Sequence, residues 1–340
     1  MVELTAVHAS NKALRRYLRP KAVAVFVGAT KGIGKTSLLN YAKHAPQPRI
    51  YFIGRSQQAA DGILKQLREE SPEGNYTFIK ADASLLNKVD EICEELKAKE
   101  ENISLLFQSQ GTLDMSTKTS ENLMLITALG YYSRMRFIAN LLPLLRKSPS
   151  VSRVISVLAG TKEGPLDMKD LSGSSIAPWK ARGHISSLST LTLEHFAETA
   201  PDVSFIYSYP GFVDTDLAQT MKGILPAVFK VGFAMYRTIG PKITYMPLDE
   251  TGERYTFLAT SSRFPSQNQS KDPPNYGKDI AVGSDGAIGS GVYTLDEFCE
   301  SGDAKVQEVL AELRLADAGG QSLAALAGGL QECHRKESIW

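Results

Sequence analysis

A glycine-rich turn between an apolar segment and a helical pattern constrains the fold of this chain more than any other stretch. Residues 23–27 read Val-Ala-Val-Phe-Val, a run typical of a buried parallel strand. Gly28, Gly32 and Gly34 follow with the spacing Gly-x-x-x-Gly-x-Gly. Side chains there would block a positive-φ backbone and the close approach of a pyrophosphate to the helix N-terminus. The spacing therefore predicts a nucleotide-binding turn and a helix that starts near Gly34.

The phosphate-binding loop of nucleotide triphosphatases is a competing interpretation, because residues 32–37 read Gly-Ile-Gly-Lys-Thr-Ser. That motif requires a further glycine where this chain has Ala29. The apolar segment at residues 103–107 also runs into Gln108, whereas a triphosphatase needs an Asp that binds magnesium. Both differences disfavour a triphosphatase.

Composition sets the broad class of protein. The chain has 340 residues, of which 43% are hydrophobic and 22% charged, so it can bury a large core. Its formal net charge of +1 gives no positive field for nucleic acid. Cys93, Cys299 and Cys333 are scattered without the spacing of metal ligands or of a disulfide framework. We therefore expect no metal site. The first 20 residues lack the apolar core of a signal peptide, so we also expect a cytoplasmic protein.

The order of the elements predicts an α/β fold. Strand and helix patterns alternate from Ala22 to about Val213, which predicts a doubly wound, Rossmann-type parallel sheet with helices on both faces. We expect a single domain over residues 21–300, preceded by a lead-in over residues 1–20. A helical extension is expected over residues 301–340.

Two cations favour NADP(H) over NAD(H). In such a fold the residue after the second strand meets the adenosine ribose, where an acid suits a 2′-hydroxyl and a cation suits a 2′-phosphate. This chain has Arg55 there, and Lys31 in the glycine turn adds a second positive charge nearby. The alternative is that both residues are solvated surface cations.

Several motifs together resemble the short-chain dehydrogenase/reductase superfamily, and in particular a fungal branch of it. They are the glycine turn, the Tyr-Tyr-Ser-Arg run at 131–134, the string Val-Leu-Ala-Gly-Thr-Lys-Glu-Gly at 157–164 and Pro-Gly-Phe-Val-Asp-Thr at 210–215. The resemblance spans roughly residues 12–300.

The resemblance implies a set of nucleotide contacts. Asp82 would lie near the adenine amino group, and its alternative role is to cap the helix that begins near Leu85; the two roles are compatible. The family's Asn-Asn-Ala-Gly turn is altered here to Gln108-Ser109-Gln110-Gly111. The cofactor-binding residues expected in full are Gly28, Thr30, Lys31, Gly32, Ile33, Gly34, Arg55, Asp82, Gln108, Gly111, Pro210, Gly211, Val213 and Thr215.

The resemblance also implies a substrate pocket and a cover for it. The pocket residues expected are Gln110, Ala159, Thr161, Trp179 and Phe212. Residues 217–240 are apolar with glycine hinges and correspond to a mobile helical lid over the substrate. A helix lying on a membrane surface is the alternative, which the few cations and the short apolar run disfavour.

The usual catalytic groups are missing from the positions where the resemblance implies them. The family's Asn maps close to Gly130, its Ser to Ala159, and its Tyr and Lys to Ala177 and Ala181. A register slip of one residue gives Ile176 and Lys180, which still supplies no tyrosine.

Few other groups could act in their place. Ser156 falls inside the predicted strand, and Tyr131 and Tyr132 are expected to be packing residues. His184 and Lys180 remain as candidate catalytic residues, with a structural role for His184 as the alternative.

Three functions remain open. The favoured one is a non-redox enzyme of natural-product metabolism that binds NADP(H) without turnover and catalyses a cyclisation, isomerisation or elimination. The second is an NADPH-dependent reductase of an activated C=C, C=O or C=N bond with a non-standard proton donor. The third is a catalytically inactive partner subunit. If the protein is an enzyme, its partner is a small-molecule substrate. We expect neither nucleic-acid binding nor a stable membrane span. A homodimer is compatible with all three functions.

Overall fold

A computed structural model of the chain describes residues 1–171, 176–213, 215, 217, 245–271 and 279–316. Within these ranges the strands are β1 (Val23–Val27), β2 (Arg49–Gly54), β3 (Asn75–Lys80), β4 (Leu105–Gln108), β5 (Arg153–Val157), β6 (Ser204–Ser208), β7 (Phe212–Val213), β8 (Tyr245–Met246) and β9 (Val292–Leu295).

The helices of the same ranges alternate with the strands. They are α1 (Leu4–Tyr17), α2 (Gly32–His44), α3 (Gln57–Glu70), α4 (Leu86–Lys99), α5 (Leu125–Thr127), α6 (Ser133–Leu145), α7 (Pro178–Thr199), α8 (Leu248–Thr260), α9 (Gln267–Lys271) and α10 (Ala304–Ala316). A π-helical turn, Ala128–Tyr132, joins α5 to α6.

Seven parallel strands form the central sheet in the order β3-β2-β1-β4-β5-β6-β9. The strand order reverses between β1 and β4, and ligands of open α/β sheets bind at such a switch point, outside the carboxyl ends of the strands. The predicted doubly wound α/β fold is confirmed.

Two apolar cores lie on opposite faces of the sheet. Val25 and Val27 of β1 pack toward α4, α6 and α7, whereas Ala24 and Phe26 pack toward α1, α2, α3 and α8. Alternate residues of a strand point to opposite faces, so both sets are buried and β1 is apolar throughout.

The first and last elements of the described chain are helices that pack on the domain. α1 lies within the predicted lead-in, and Asn11 donates to the Glu253 carboxylate of α8 at 2.6 Å. At the other end, Arg314 of α10 donates to both carboxylate oxygens of Glu194 on α7, at 2.8 and 2.6 Å.

Some expectations concern residues outside the described ranges. Almost all of the predicted lid lies there, since residues 218–244 are not described, and so does the extension beyond residue 316. No helix within the described ranges is both long and apolar enough to cross a bilayer.

Candidate functional site

A cleft lies at the carboxyl ends of the strands, directly above the switch point. It is formed by the β1–α2 turn and by the segments that follow β2, β3 and β4. Eleven of the residues expected to bind cofactor or substrate line it: Gly28, Thr30, Lys31, Gly32, Ile33, Gly34, Arg55, Asp82, Gln110, Gly111 and Thr215.

Two glycines make the floor of this cleft possible. Gly28 has φ +78°, and a Cβ there would lie 2.6 Å from the backbone nitrogen of Gln110. A Cβ on Gly34 would lie 2.6 Å from the carbonyl oxygen of Gly28. The chain therefore turns within contact distance of its neighbours, and α2 presents its first N–H groups to the cleft. The turn fits a dinucleotide pyrophosphate, and α2 begins at Gly32, two residues earlier than predicted.

A cation and a carboxylate lie at the β2 and β3 end of the cleft. Arg55 Nη1 lies 3.9 Å from Asp82 Oδ2, and the Arg55 side chain is 72% exposed. An exposed pair at this distance contributes little to stability, so the guanidinium is accessible to a ligand phosphate. Lys31, at the N-cap of α2, adds positive charge to the same cleft.

Asp82 does not cap α4, contrary to the alternative that the sequence left open. Its carboxylate accepts from the backbone N–H of Ser84 at 3.0 Å and from the Ser84 hydroxyl at 2.7 Å. Glu121 from a distant loop instead accepts from the N–H groups of Leu86 and Asn87, at 2.7 and 3.0 Å. Sequence spacing could not reveal this cap because Glu121 is remote along the chain.

Four of the expected cofactor residues do not line the cleft. Gln108 is fully buried beneath it, and its Nε2 donates to the carbonyl oxygen of Arg134 at 2.9 Å. Pro210, Gly211 and Val213 lie in or beside the segment after β6 that leads back to the cleft at Thr215. They form a connection to the described cleft rather than part of its wall.

The position of the Thr36 hydroxyl is incompatible with binding a metal ion, the role that this hydroxyl would have in a triphosphatase. Its hydroxyl donates to the carbonyl oxygen of Leu248 in α8 at 3.1 Å. Because Thr36 faces the packing interface between α2 and α8, it is not turned toward a phosphate-bound metal.

The positions to which the usual catalytic groups map lie close to the carboxyl edge. Gly130 is inside the π-helical turn, and Ala159 is buried just after β5. Ala177 is the N-cap of α7, and Ala181 lies in the first turns of that helix. Lys180, also in α7, is exposed.

His184 is buried and both of its ring nitrogens have backbone partners. Nδ1 accepts from the N–H of Asp167 at 3.2 Å, and Nε2 lies 3.2 Å from the carbonyl oxygen of Leu171. These two contacts hold the loop before α7 against the His184 ring. Tyr131 and Tyr132 are buried packing residues as expected, and the Tyr131 hydroxyl lies 2.8 Å from Thr192 Oγ1.

The expected substrate residues are not all in one place. Gln110 lines the cleft, but Trp179 is 81% exposed on the first turn of α7 and Phe212 is partly exposed. Thr161 has φ +61°, and its N–H donates to Thr294 Oγ1 at 2.6 Å. Within the described residues, Trp179, Phe212 and Thr161 do not line the cleft.

Two cations lie against the ring of Tyr209, a residue that the sequence motifs did not single out. Tyr209 directly follows β6, and its ring centroid is 4.7 Å from Lys162 Nζ and 5.1 Å from Arg182 Cζ. Burial raises the pKa of the Tyr209 phenol, Arg182 opposes that change and Glu297 reinforces it. Tyr209 immediately precedes the Pro-Gly turn, and that position was the one available signal.

A buried acid lies in the loop after β5. Glu163 Oε1 accepts from the hydroxyls of Thr190 and Thr294, at 2.7 and 2.6 Å. Burial raises the pKa of this carboxyl, and the two hydroxyls oppose the change. In the part of the chain that the structure describes, no three His, Cys, Asp or Glu side chains are grouped to hold a metal ion.

Comparisons with known proteins show the family to which the chain is similar. The family model of short chain dehydrogenases matches residues 22–169. Oxidoreductase AN1596 of Emericella nidulans is 36% identical over 301 residues, covering 87% of this chain and 89% of that protein. Short-chain dehydrogenase/reductase SAT2 of Stachybotrys chartarum is 31% identical over 304 residues, covering 82% of this chain and 84% of that protein.

Solved structures share the fold. The NADPH-bound carbonyl reductase from chicken fatty liver aligns with a TM-score of 0.54 and 14% identity, covering 84% of this chain and 99% of that one. The NADP complex of RhlG from Pseudomonas aeruginosa aligns with a TM-score of 0.53 and 16% identity, covering 73% and 92%.

Proposed function

Because the chain belongs to the short-chain dehydrogenase/reductase superfamily, we propose that it is an NADP(H)-binding enzyme of small-molecule metabolism, most plainly of natural-product metabolism. The accessible guanidinium of Arg55 and the neighbouring Lys31 support NADP(H) over NAD(H). We further propose that the protein is cytoplasmic and forms a homodimer. Relatives such as AN1596 and andH of Emericella variicolor are named oxidoreductases, which supports redox chemistry here.

We favour reduction of an activated C=O, C=C or C=N bond, and one observation carries this choice. Tyr209 is a partly buried phenol with Lys162 and Arg182 packed on its ring, at the carboxyl edge of the sheet. The segment that begins at Tyr209 returns to the nucleotide cleft at Thr215. On these grounds we assign the proton donor of the reaction to the Tyr209 phenol.

The proposed chemistry divides between cofactor and protein. When bound, NADPH supplies a hydride to the electrophilic carbon of the substrate. Tyr209 donates its phenolic proton to the substrate atom that gains negative charge, and Lys162 and Arg182 stabilise the phenolate that remains. Solvent then returns a proton to the phenolate, so one hydride and one proton are added to the substrate overall.

Substitution of Tyr209 tests this assignment. We expect Tyr209→Phe to lower the rate of NADPH oxidation by about 10²–10⁴-fold, with benzil and 2-cyclohexenone as probe substrates. The dissociation constant of NADPH should stay unchanged. The matched control is Tyr76→Phe, because Tyr76 lies in β3 and its hydroxyl donates to the Ser71 carbonyl, remote from β6. The wild-type rate of NADPH oxidation should also fall only above pH 10.0, the ordinary phenol pKa, because the raised pKa keeps Tyr209 protonated up to that pH.

A non-redox reaction is the second candidate function. Gly130, Ala159, Ala177 and Ala181 carry no titratable side chain, and both nitrogens of His184 are engaged by the backbone. Under this candidate the cofactor stays bound while the pocket orients a reactive molecule for cyclisation, isomerisation or elimination. A rate of NADPH oxidation in Tyr209→Phe equal to that of the wild type would contradict the role of Tyr209 as proton donor. Product formed without NADPH oxidation would favour this second candidate.

A further inference from the structure

Arg134 is a fully buried cation beneath the floor of the cleft. It lies in the first turn of α6, and its guanidinium is 0% exposed. Nη1 donates to the carbonyl oxygen of Gln108 at 3.2 Å and to Ser156 Oγ at 2.7 Å, and Nη2 donates to the carbonyl oxygen of Gln110. Nε donates to the carbonyl oxygen of Leu129 at 3.1 Å.

The π-helical turn is what makes this last contact possible. Leu129 lies inside that turn, where the α-helical hydrogen-bond pattern is interrupted and a carbonyl can turn toward a side chain. Arg134 thereby joins the end of β4, the end of β5 and the turn before α6. One side chain ties together the segments on which the floor of the cleft rests.

The charge of Arg134 has no counterion among the described residues. All four acceptors are neutral carbonyl or hydroxyl oxygens. Burial lowers the pKa of Arg134 to about 10, while Tyr207 and Tyr255 oppose that change. The guanidinium is therefore still positive at neutral pH, and its field is not cancelled by a nearby carboxylate.

Arg134 lies on the side of the cleft where one half of a bound dinucleotide would be located. Arg55 and Asp82 follow β2 and β3, whereas Gln110 and Leu129 line the cleft on the β4 side of the switch point. A dinucleotide binds across that point, so adenosine at Arg55 places the nicotinamide half on the side of Arg134.

We propose that Arg134 makes the nicotinamide half of the site select the reduced, neutral ring over the oxidised, positively charged ring. This inference rests on the proposed function, because it requires a bound nicotinamide cofactor. At an effective dielectric of about 20, the repulsion between two unit charges still amounts to roughly tenfold in a dissociation constant when they are separated by about 10 Å. Arg134 itself does not reach the cleft surface, so it acts on the ligand through its field.

Binding measurements separate this electrostatic role from a purely structural one. Dissociation constants of NADP⁺, NADPH and 2′,5′-ADP would be measured for the wild type, Arg134→Gln and Arg134→Lys. We expect the wild type to bind NADP⁺ at least about tenfold more weakly than NADPH. Arg134→Gln should reduce this ratio roughly tenfold, whereas Arg134→Lys should retain most of it. The affinity for 2′,5′-ADP, which lacks the nicotinamide half, should stay constant.

Arg153 provides the matched control. It is equally buried and donates to the carbonyl oxygens of Leu258 and Ser261 at 2.7 and 2.9 Å, but it begins β5 at the opposite edge of the sheet. We expect Arg153→Gln to lower stability and to leave the ratio of NADP⁺ to NADPH affinity at its wild-type value.

Three results would overturn the inference. One is an unchanged ratio in an Arg134→Gln protein that still binds 2′,5′-ADP. Another is a wild type that binds NADP⁺ as tightly as NADPH, which decides the matter even if Arg134→Gln does not fold. A wild type that binds none of these nucleotides, nor NAD⁺ and NADH, overturns the proposed function and the inference with it. If the wild type prefers NAD⁺ and NADH, the same ratio is read from that pair with ADP as the fragment.

Discussion

Glu163 is a buried acid whose ionisation should oppose folding at neutral pH. Burial raises the pKa of its carboxyl above the ordinary value of 4.5, with Thr294 and Thr190 opposing the change. The stability that this raised pKa contributes is therefore complete below pH 4.5 and is lost as pH rises through the folded-state pKa. A difference of one unit between the folded and unfolded pKa corresponds to about 1.4 kcal/mol.

We expect Glu163→Gln to remove this loss, because the amide keeps an acceptor for the two hydroxyls and cannot ionise. Urea unfolding from pH 4.5 to pH 8 should show a flatter dependence of the free energy of unfolding on pH than in the wild type. Glu101→Gln, at an exposed acid, is the control and should follow the wild-type curve. Parallel curves for Glu163→Gln and the wild type would refute the assignment.

At the scale of elements, the β1–α2 turn leaves no room for a side chain at Gly34. A Cβ at Gly34 would meet the carbonyl oxygen of Gly28 at 2.6 Å and would also contact the Ser109 hydroxyl. We expect Gly34→Ala to weaken binding of NADPH at least about tenfold, because the turn must move away from the pyrophosphate position. Calorimetric titration measures this effect.

Gly62 supplies the control for that experiment. It lies within α3, and a Cβ there would meet nothing within 4 Å. We expect Gly62→Ala to stabilise the protein by about 0.5–1 kcal/mol, as alanine does in a helix interior, with NADPH binding unchanged. Equal NADPH affinities in Gly34→Ala and the wild type would contradict the pyrophosphate assignment.

Elements that depend on local chemistry could be predicted from the sequence. The β1–α2 turn is specified by glycines within a few residues of one another, and β1 by an apolar run buried on both faces. The contacts that Arg134 makes beside the π-helical turn Ala128–Tyr132 could not be predicted, because their acceptors lie on β4 and β5, remote along the chain. The cap of α4 by Glu121 was missed for the same reason.

At the scale of the whole molecule, the parallel sheet collects residues from separate segments at one edge. Lys162 follows β5, Arg182 lies in α7 and Tyr209 follows β6, yet the two cations pack on one phenol. No spacing along the chain encodes such a contact, because it exists only once β5, β6 and α7 are packed together. The sequence could therefore place the nucleotide cleft, which one turn dominates, but not the polar groups beside it.

Binding of NADP(H) in this cleft through Arg55 is tested most directly by isothermal titration calorimetry with NADPH and NADH. We expect the wild type to bind NADPH at least about tenfold more tightly than NADH, since a charge-assisted contact to phosphate contributes about 1.5–3 kcal/mol. Arg55→Ala should remove most of that difference and leave NADH binding unchanged. Equal or tighter binding of NADH by the wild type would contradict the assignment of Arg55, and no binding of either nucleotide would contradict the cofactor site itself.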